Sequence, residues 1–163
     1  VLSSFHANST SAAFSRMIGM IGINPIFSSA IRLLIAQRLV RKLYDPSKVE
    51  YEPDAATKKW VQDILKGVSP ARIGNIDLNN FKLWKPGVHA DAPFGFKGRI
   101  VVMEQMVVNH EIQAFLRGDI ADANPEAIEA EAKKSADLIT LIQAGVLAAL
   151  RGETTLEEVN RSI

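Results

Sequence analysis

Val1-Leu2-Ser3-Ser4-Phe5-His6-Ala7-Asn8-Ser9-Thr10 reads as an apolar run, a polar turn and a helix cap in direct succession. Val1 to Phe5 has the short apolar character of a buried strand. Ser9 and Thr10 both suit an N-cap, where a side-chain oxygen accepts a backbone N–H that the first helical turn leaves unpaired. A helix is therefore predicted over residues 11–20, with Phe14, Met17, Ile18 and Ile21 at helical spacing. A strand that feeds straight into a helix is the repeating unit of α/β folds. Residues 1–43 are read as α/β, joined to a mixed middle and an all-α end.

In this reading His6 stands at the C-terminal end of a strand and just ahead of a helix. Open α/β sheets bind ligands at that edge, and a helix N-terminus favours an anion. Asn8, Ser9 and Thr10 add hydrogen-bond donors there. Taken alone, these residues favour a simpler role for His6, as a loop histidine hydrogen-bonded to backbone.

Further along, Asn24-Pro25 supplies a cap and a proline at the first helical position, so a second helix is expected through about Leu34. Leu33 to Leu43 is strongly apolar with Gln37, Arg38, Arg41 and Lys42 interspersed, and its periodicity suits a continued helix or a strand. Tyr44 to Pro53 is a loop punctuated by Pro46 and Pro53. Asp54 caps a predicted helix through about Lys66. Phe81 to Trp84 suits a strand, Pro86 to Gly95 a loop, and Arg99 to Val108 a β-branched strand. In the last third, Asn109, Asn124-Pro125 and Thr155 open helices, and Leu138 to Leu150 is an apolar helix stopped at Gly152. Thr155 and Glu158 have capping-box spacing, and Glu129 and Lys133 form an i,i+4 pair.

The bulk composition narrows the function classes. The chain has 163 residues, 47% apolar and 23% charged, which suits one domain or two small ones. No apolar run reaches the length of a membrane-spanning helix, and the opening residues do not resemble a signal peptide. Without cysteine the chain has neither a disulfide framework nor a thiolate metal site, and a reducing, cytoplasmic setting is expected. Residues 1–100 hold 14 Lys/Arg against 7 Asp/Glu, and residues 101–163 hold 5 against 11. Such oppositely biased segments attract one another within or between subunits. The basic excess is too small to argue for nucleic acid, and no direct nucleic-acid partner is expected. His6, His89 and His110 lack ligand spacing, so no metal site is expected from them. Arg38, Arg41 and Lys42, around Gln37, suit either a phosphate or carboxylate contact or a solvated face. No GxxxxGK[ST] phosphate loop occurs.

Read together, these segments resemble the traffic ATPases of type II secretion and type IV pilus assembly, the extension and secretion members more than the retraction motors. Val1 to Asn8 resembles the family's His box, V-L-S-T-L-H-T-N. Arg16 to Ile23 is similar to R-L-x-x-M-G-[IV], and Ile35 to Leu43 to I-A-Q-R-L-V-R-K-L. Gly98 to Glu104 is similar to G-R-x-G-[IV]-[FY]-E, and Gly152 to Val159 to G-x-T-[ST]-L-E-E-V. These five motifs stand in the family's order at near-family spacing.

The resemblance implies the C-terminal part of a RecA-like P-loop ATPase domain (residues 1–43). A small mixed subdomain that lacks its zinc cysteines (44–98) and a mostly helical C-terminal subdomain (99–163) would follow. It implies that Walker A, the Asp box and Walker B precede Val1 in a longer parent. That parent would be a cytoplasmic hexameric motor, peripheral to the inner membrane, that couples ATP hydrolysis to pilus assembly or protein secretion. Its partners would be its own copies and an inner-membrane platform protein. His6 becomes the catalytic candidate, near the γ-phosphate, with Asn8, Arg16, Gln37 and Arg38 as cofactor-binding candidates. ATP and Mg2+ would be bound mainly by residues outside this chain, and the piece alone would be inactive. The family's two C-x-x-C pairs fall at Tyr44/Ser47 and Val88/Asp91, so no zinc is expected. The rings of Tyr51, Trp60, Phe81, Trp84, Phe94 and Phe96 would then replace zinc by apolar packing. An alternative is a non-catalytic docking module for the platform protein.

Overall fold

Capping chemistry sets most of the helix starts. In the computed structural model, which describes residues 1–163, Ser9 accepts the Ala12 N–H and opens α1 (Thr10–Ile21). Asn24 accepts the Ile26 and Phe27 N–H groups ahead of α2 (Pro25–Ala30). Asp54 accepts from Thr57 at the start of α3 (Ala55–Ile64), and Asn109 accepts from Ile112 at α5 (His110–Arg117). The short α4 (Pro70–Ile73) carries proline in its first turn. Asn124 and Thr155 open α6 (Pro125–Ser135) and α8 (Leu156–Ser162), and α7 (Leu141–Leu150) lies between them. Each such cap satisfies a donor that would otherwise face solvent or sit unpaired, a contribution of about 1 kcal/mol.

Four strands complete a mixed α/β chain. β1 (Leu33–Leu43) pairs with β4 (Phe96–Val107) in one two-stranded sheet. β2 (Val49–Tyr51) pairs antiparallel with β3 (Leu83–Lys85) in another, with Glu50 opposite Trp84 and Tyr51 opposite Leu83.

Three sequence expectations need correction. Val1 to Phe5 is not a strand but irregular and exposed: neither two-stranded sheet includes it, so its backbone groups join no ladder. The helix from Pro25 ends at Ala30 rather than near Leu34, since Ile31 turns into extended backbone and the apolar run after it pairs as β1. The apolar helix at the end of the chain begins at Leu141 rather than Leu138.

The chain divides into two compact units, each assembled from two stretches, and the division cuts both long strands. The first unit holds Val1–Ala36 and Met103–Thr140. Its core gathers Phe14 of α1, Met106 of β4, Ile112, Phe115 and Leu116 of α5, and Ile128 and Ala132 of α6. Met17 and Ile18 pack against this core from the same face of α1 as Phe14, as their spacing predicts, whereas Ile21 at the helix end is exposed. Asn109, after capping α5, donates its Nδ2 to the Ser135 carbonyl at 3.0 Å and ties the end of α6 to it.

The second unit holds Gln37–Val102 and Leu141–Ile163. Its centre is α7, which is buried on nearly every side, as its almost wholly apolar sequence demands. α7 packs on α3, β3 and α8. Gln143, the polar residue inside α7, donates to the Ile64 carbonyl at the end of α3, 2.9 Å away. A buried amide is thereby satisfied and an orphan helix carbonyl closed.

Candidate functional site

The His6 segment is held by two side chains of its own unit. Arg16, two turns into α1, reaches back to donate Nη1 to the His6 carbonyl at 3.2 Å, and its guanidinium lies 5.4 Å from the Phe5 ring centre. The second hold comes from β4. Val102, Glu104 and Met106 alternate on the buried side of that strand, and Glu104 is only 2% exposed. Its Oε1 accepts the Thr10 backbone N–H at 2.7 Å and the Thr10 hydroxyl as well. A buried carboxylate is costly without donors, and the first turn of α1 supplies them.

This arrangement revises the electrostatics expected at the start of α1. The positive end of the helix was expected to attract a phosphate, yet the chain places its own carboxylate there. An anion brought to the same amides would meet the charge of Glu104. The imidazole of His6 and the amide of Asn8 are exposed just upstream. Those two groups, rather than the helix amides, suit one edge of a phosphate group. No three His, Asp or Glu side chains are gathered into a metal-holding group. The exposed imidazole and amide thus leave hydrogen-bonding groups open to an anion, while the chain gathers no carboxylate or imidazole cage for a divalent ion.

Among the other candidates, Arg16 spends a donor on the His6 carbonyl, which makes it a holder of His6. Gln37 and Arg38 are neighbours on β1 in the second unit, where Arg38 Nη1 donates to the Gln37 carbonyl at 3.1 Å. Arg41 is engaged inside its own unit. It pairs with the carboxylate of Glu158, which is 3% exposed, and its guanidinium lies 4.2 Å over the Phe96 ring centre. Glu158 also accepts from Arg161 at 2.9 Å, and Thr154 donates its hydroxyl to the Arg41 carbonyl at 2.9 Å. The Arg41 hydrogen bond holds the Glu158 carboxyl below its ordinary range. The capping box foreseen for Thr155 and Glu158 is half made. Thr155 accepts the Glu158 N–H at 3.2 Å, while the Glu158 carboxylate turns to the two arginines.

Sequence reasoning missed Glu104 as a site-holding residue. The signal was present: an acid at an inward-facing position of an alternating strand requires a buried partner.

The two loops at the expected cysteine positions meet. Tyr44 donates its hydroxyl to Asp91 Oδ2 at 3.3 Å, and its ring centre lies 5.1 Å from that of His89. Ser47 Oγ donates to the Gly87 carbonyl at 3.0 Å. A Cβ on Gly87 would fall 1.9 Å from the Ser47 carbonyl oxygen, so this approach admits only glycine. Of the rings expected to pack here, Phe81 is buried and Trp84 partly so, with Lys48 Nζ 5.6 Å from the Trp84 ring centre. Phe94 is 83% exposed and takes no part. Polar tethers between backbone and side chains thus share the role assigned to apolar packing.

Comparison with known proteins matches residues 1–161 to the family model described as type II/IV secretion system protein. The chain is 33% identical over 167 residues to the type II secretion system protein E of Xanthomonas campestris pv. campestris, a match over 99% of this chain and 26% of that protein. It is 33% identical to the type IV pilus assembly ATPase PilB of Thermus thermophilus, over 98% of this chain and 16% of the relative. Identity to the type IV pilus assembly ATPase PilB of Pseudomonas aeruginosa is also 33%, over 99% and 26%. The chain therefore spans about a quarter or less of the length of these relatives.

Proposed function

The chain belongs to the type II/IV secretion system protein family, and we propose that it is the C-terminal portion of a hexameric motor ATPase that drives type IV pilus assembly or type II protein secretion. The observation that carries this reading is the family match over residues 1–161, supported by relatives named as secretion proteins and pilus assembly ATPases. Residues 1–43 close a RecA-like domain, residues 44–98 are the counterpart of a zinc subdomain, and residues 99–163 form the C-terminal helical subdomain. The whole motor works at the cytoplasmic face of the inner membrane, where it moves a platform protein.

Bound ATP with Mg2+ supplies the phosphoryl group whose transfer powers the motor. His6, exposed ahead of α1, would face the γ-phosphate side of the nucleotide, with the exposed Asn8 two residues on to assist. Arg16 keeps the His6 backbone in place through the carbonyl it grips. Gln37 and Arg38 contribute to the motor core from β1. The phosphate cradle and the metal-bearing acid lie in the parent outside this chain, so the isolated chain hydrolyses no ATP.

Substituting His6→Ala in the full-length parent tests the assignment. ATP turnover should fall by about 10²-fold or more, the scale of a lost transition-state contact, with the melting temperature unchanged. A collapsed melting temperature together with unaltered turnover per folded molecule would make His6 structural.

A further inference from the structure

We propose that Glu104 is a positioning residue for His6, acting through the first residue of α1. The proposal rests on the reading of His6 as a nucleotide-contacting group. Glu104 lies on β4 with its carboxylate buried, and the groups it holds are the N–H and hydroxyl of Thr10, four residues after His6. Ser9, between them, caps the same helix by accepting from Ala12 at 3.1 Å and contacts Ser11 Oγ at 3.1 Å. On the other side, Arg16 grips the His6 carbonyl from within α1. The segment 6–9 is thus tied at one end to a strand and at the other to a helix side chain, although His6 itself is exposed.

A backbone segment with no core burial keeps a fixed geometry only through such hydrogen bonds. A reacting geometry displaced by about 1 Å costs about 10²-fold in rate. A charge-assisted bond from a buried carboxylate to a helix-start amide is among the stronger tethers a protein makes. It also fills the positive end of α1, which leaves the exposed imidazole and the Asn8 amide as the groups free to face a phosphate. Glu104 therefore sets where His6 stands without touching the nucleotide.

The test uses the full-length parent. Glu104→Ala should lower kcat by about 10- to 100-fold with KM for ATP nearly unchanged. Glu104→Gln, which retains an acceptor of the same shape, should recover most of that loss. In a His6→Ala background, Glu104→Ala should cause no further fall, because both changes remove the same contact. Hydrogen exchange of the Ala7 to Thr10 amides should quicken in Glu104→Ala while the α5 and α6 amides stay protected. An equal loss of kcat in both backgrounds, or unchanged exchange at residues 7–10, overturns the positioning role. Should exchange quicken while His6→Ala is kinetically silent, the tether stands and the nucleotide role of His6 is what fails.

Discussion

Glu158 concentrates more of the second unit's polar chemistry than any other side chain there. It binds Arg41 through both backbone and guanidinium, accepts from Arg161, and begins α8 through its own N–H. Removing one partner of a buried ion pair costs roughly 3–5 kcal/mol, but the Arg41 side chain is 42% exposed and regains water. Glu158→Ala should therefore lower the unfolding free energy by about 2 kcal/mol, read from urea denaturation. The pH dependence has a definite sign. Because Arg41 lowers the folded-state pKa of Glu158, the stabilisation is present in full above the ordinary glutamate value of about 4.3. It is lost as pH falls through the lower folded-state value. Urea midpoints followed downward from about pH 6 should drop more steeply in the wild-type chain than in Glu158→Gln. Parallel acid limbs would show that the pair contributes nothing to stability.

At the scale of elements, two glycines in helices invite opposite outcomes. Gly145 lies inside α7, and a Cβ there would come 2.6 Å from Val159 Cγ1 and 3.0 Å from Ile163 Cδ1 on the α8 side. Alanine gains about 1 kcal/mol of helix propensity, but the overpacking it creates costs about 1–3 kcal/mol. Gly145→Ala should be net destabilising by about 1 kcal/mol and should loosen α8. Gly19, in the exposed part of α1, meets nothing within 4 Å. Gly19→Ala should stabilise by up to about 1 kcal/mol. Thermal melts of the two variants should move in opposite directions, and a stabilised Gly145→Ala would mean that α7 and α8 are not closely packed. The same scale explains β1. Its apolar run suited helix or strand on pattern alone, and pairing with β4 decided for strand.

For the molecule as a whole, the loops at Tyr44–Ser47 and Val88–Asp91 show how a cysteine-free chain joins two segments far apart in sequence. A Tyr44–Asp91 hydrogen bond, a Ser47–Gly87 hydrogen bond and the glycine contact hold them together. Structural zinc requires about four N, S or carboxylate ligands, and of the four expected positions only Asp91 offers one. Elemental analysis of protein expressed in zinc-containing medium should find well below one zinc per chain, and EDTA should leave the melting temperature unchanged. A stoichiometric ratio would refute the zinc-free reading.

Local sequence alone sets six of the helix starts, since Ser9, Asn24, Asp54, Asn109, Asn124 and Thr155 cap backbone groups within a few residues of themselves. It also determined the family, through motifs that keep their order along the chain. Local bonding carries the helix starts and the order of the motifs carries the family, so neither needed a distant partner to be known. Tertiary structure alone decided that Val1 to Phe5 finds no ladder, that the run after Ile31 becomes β1, and that Glu104 meets Thr10 and Glu158 meets Arg41. Thr10 and Glu104 are 94 residues apart, and Arg41 and Glu158 are 117 apart. Periodicity tells which face of an element is buried, while the partner of a buried charge is set by whichever segment folds against it.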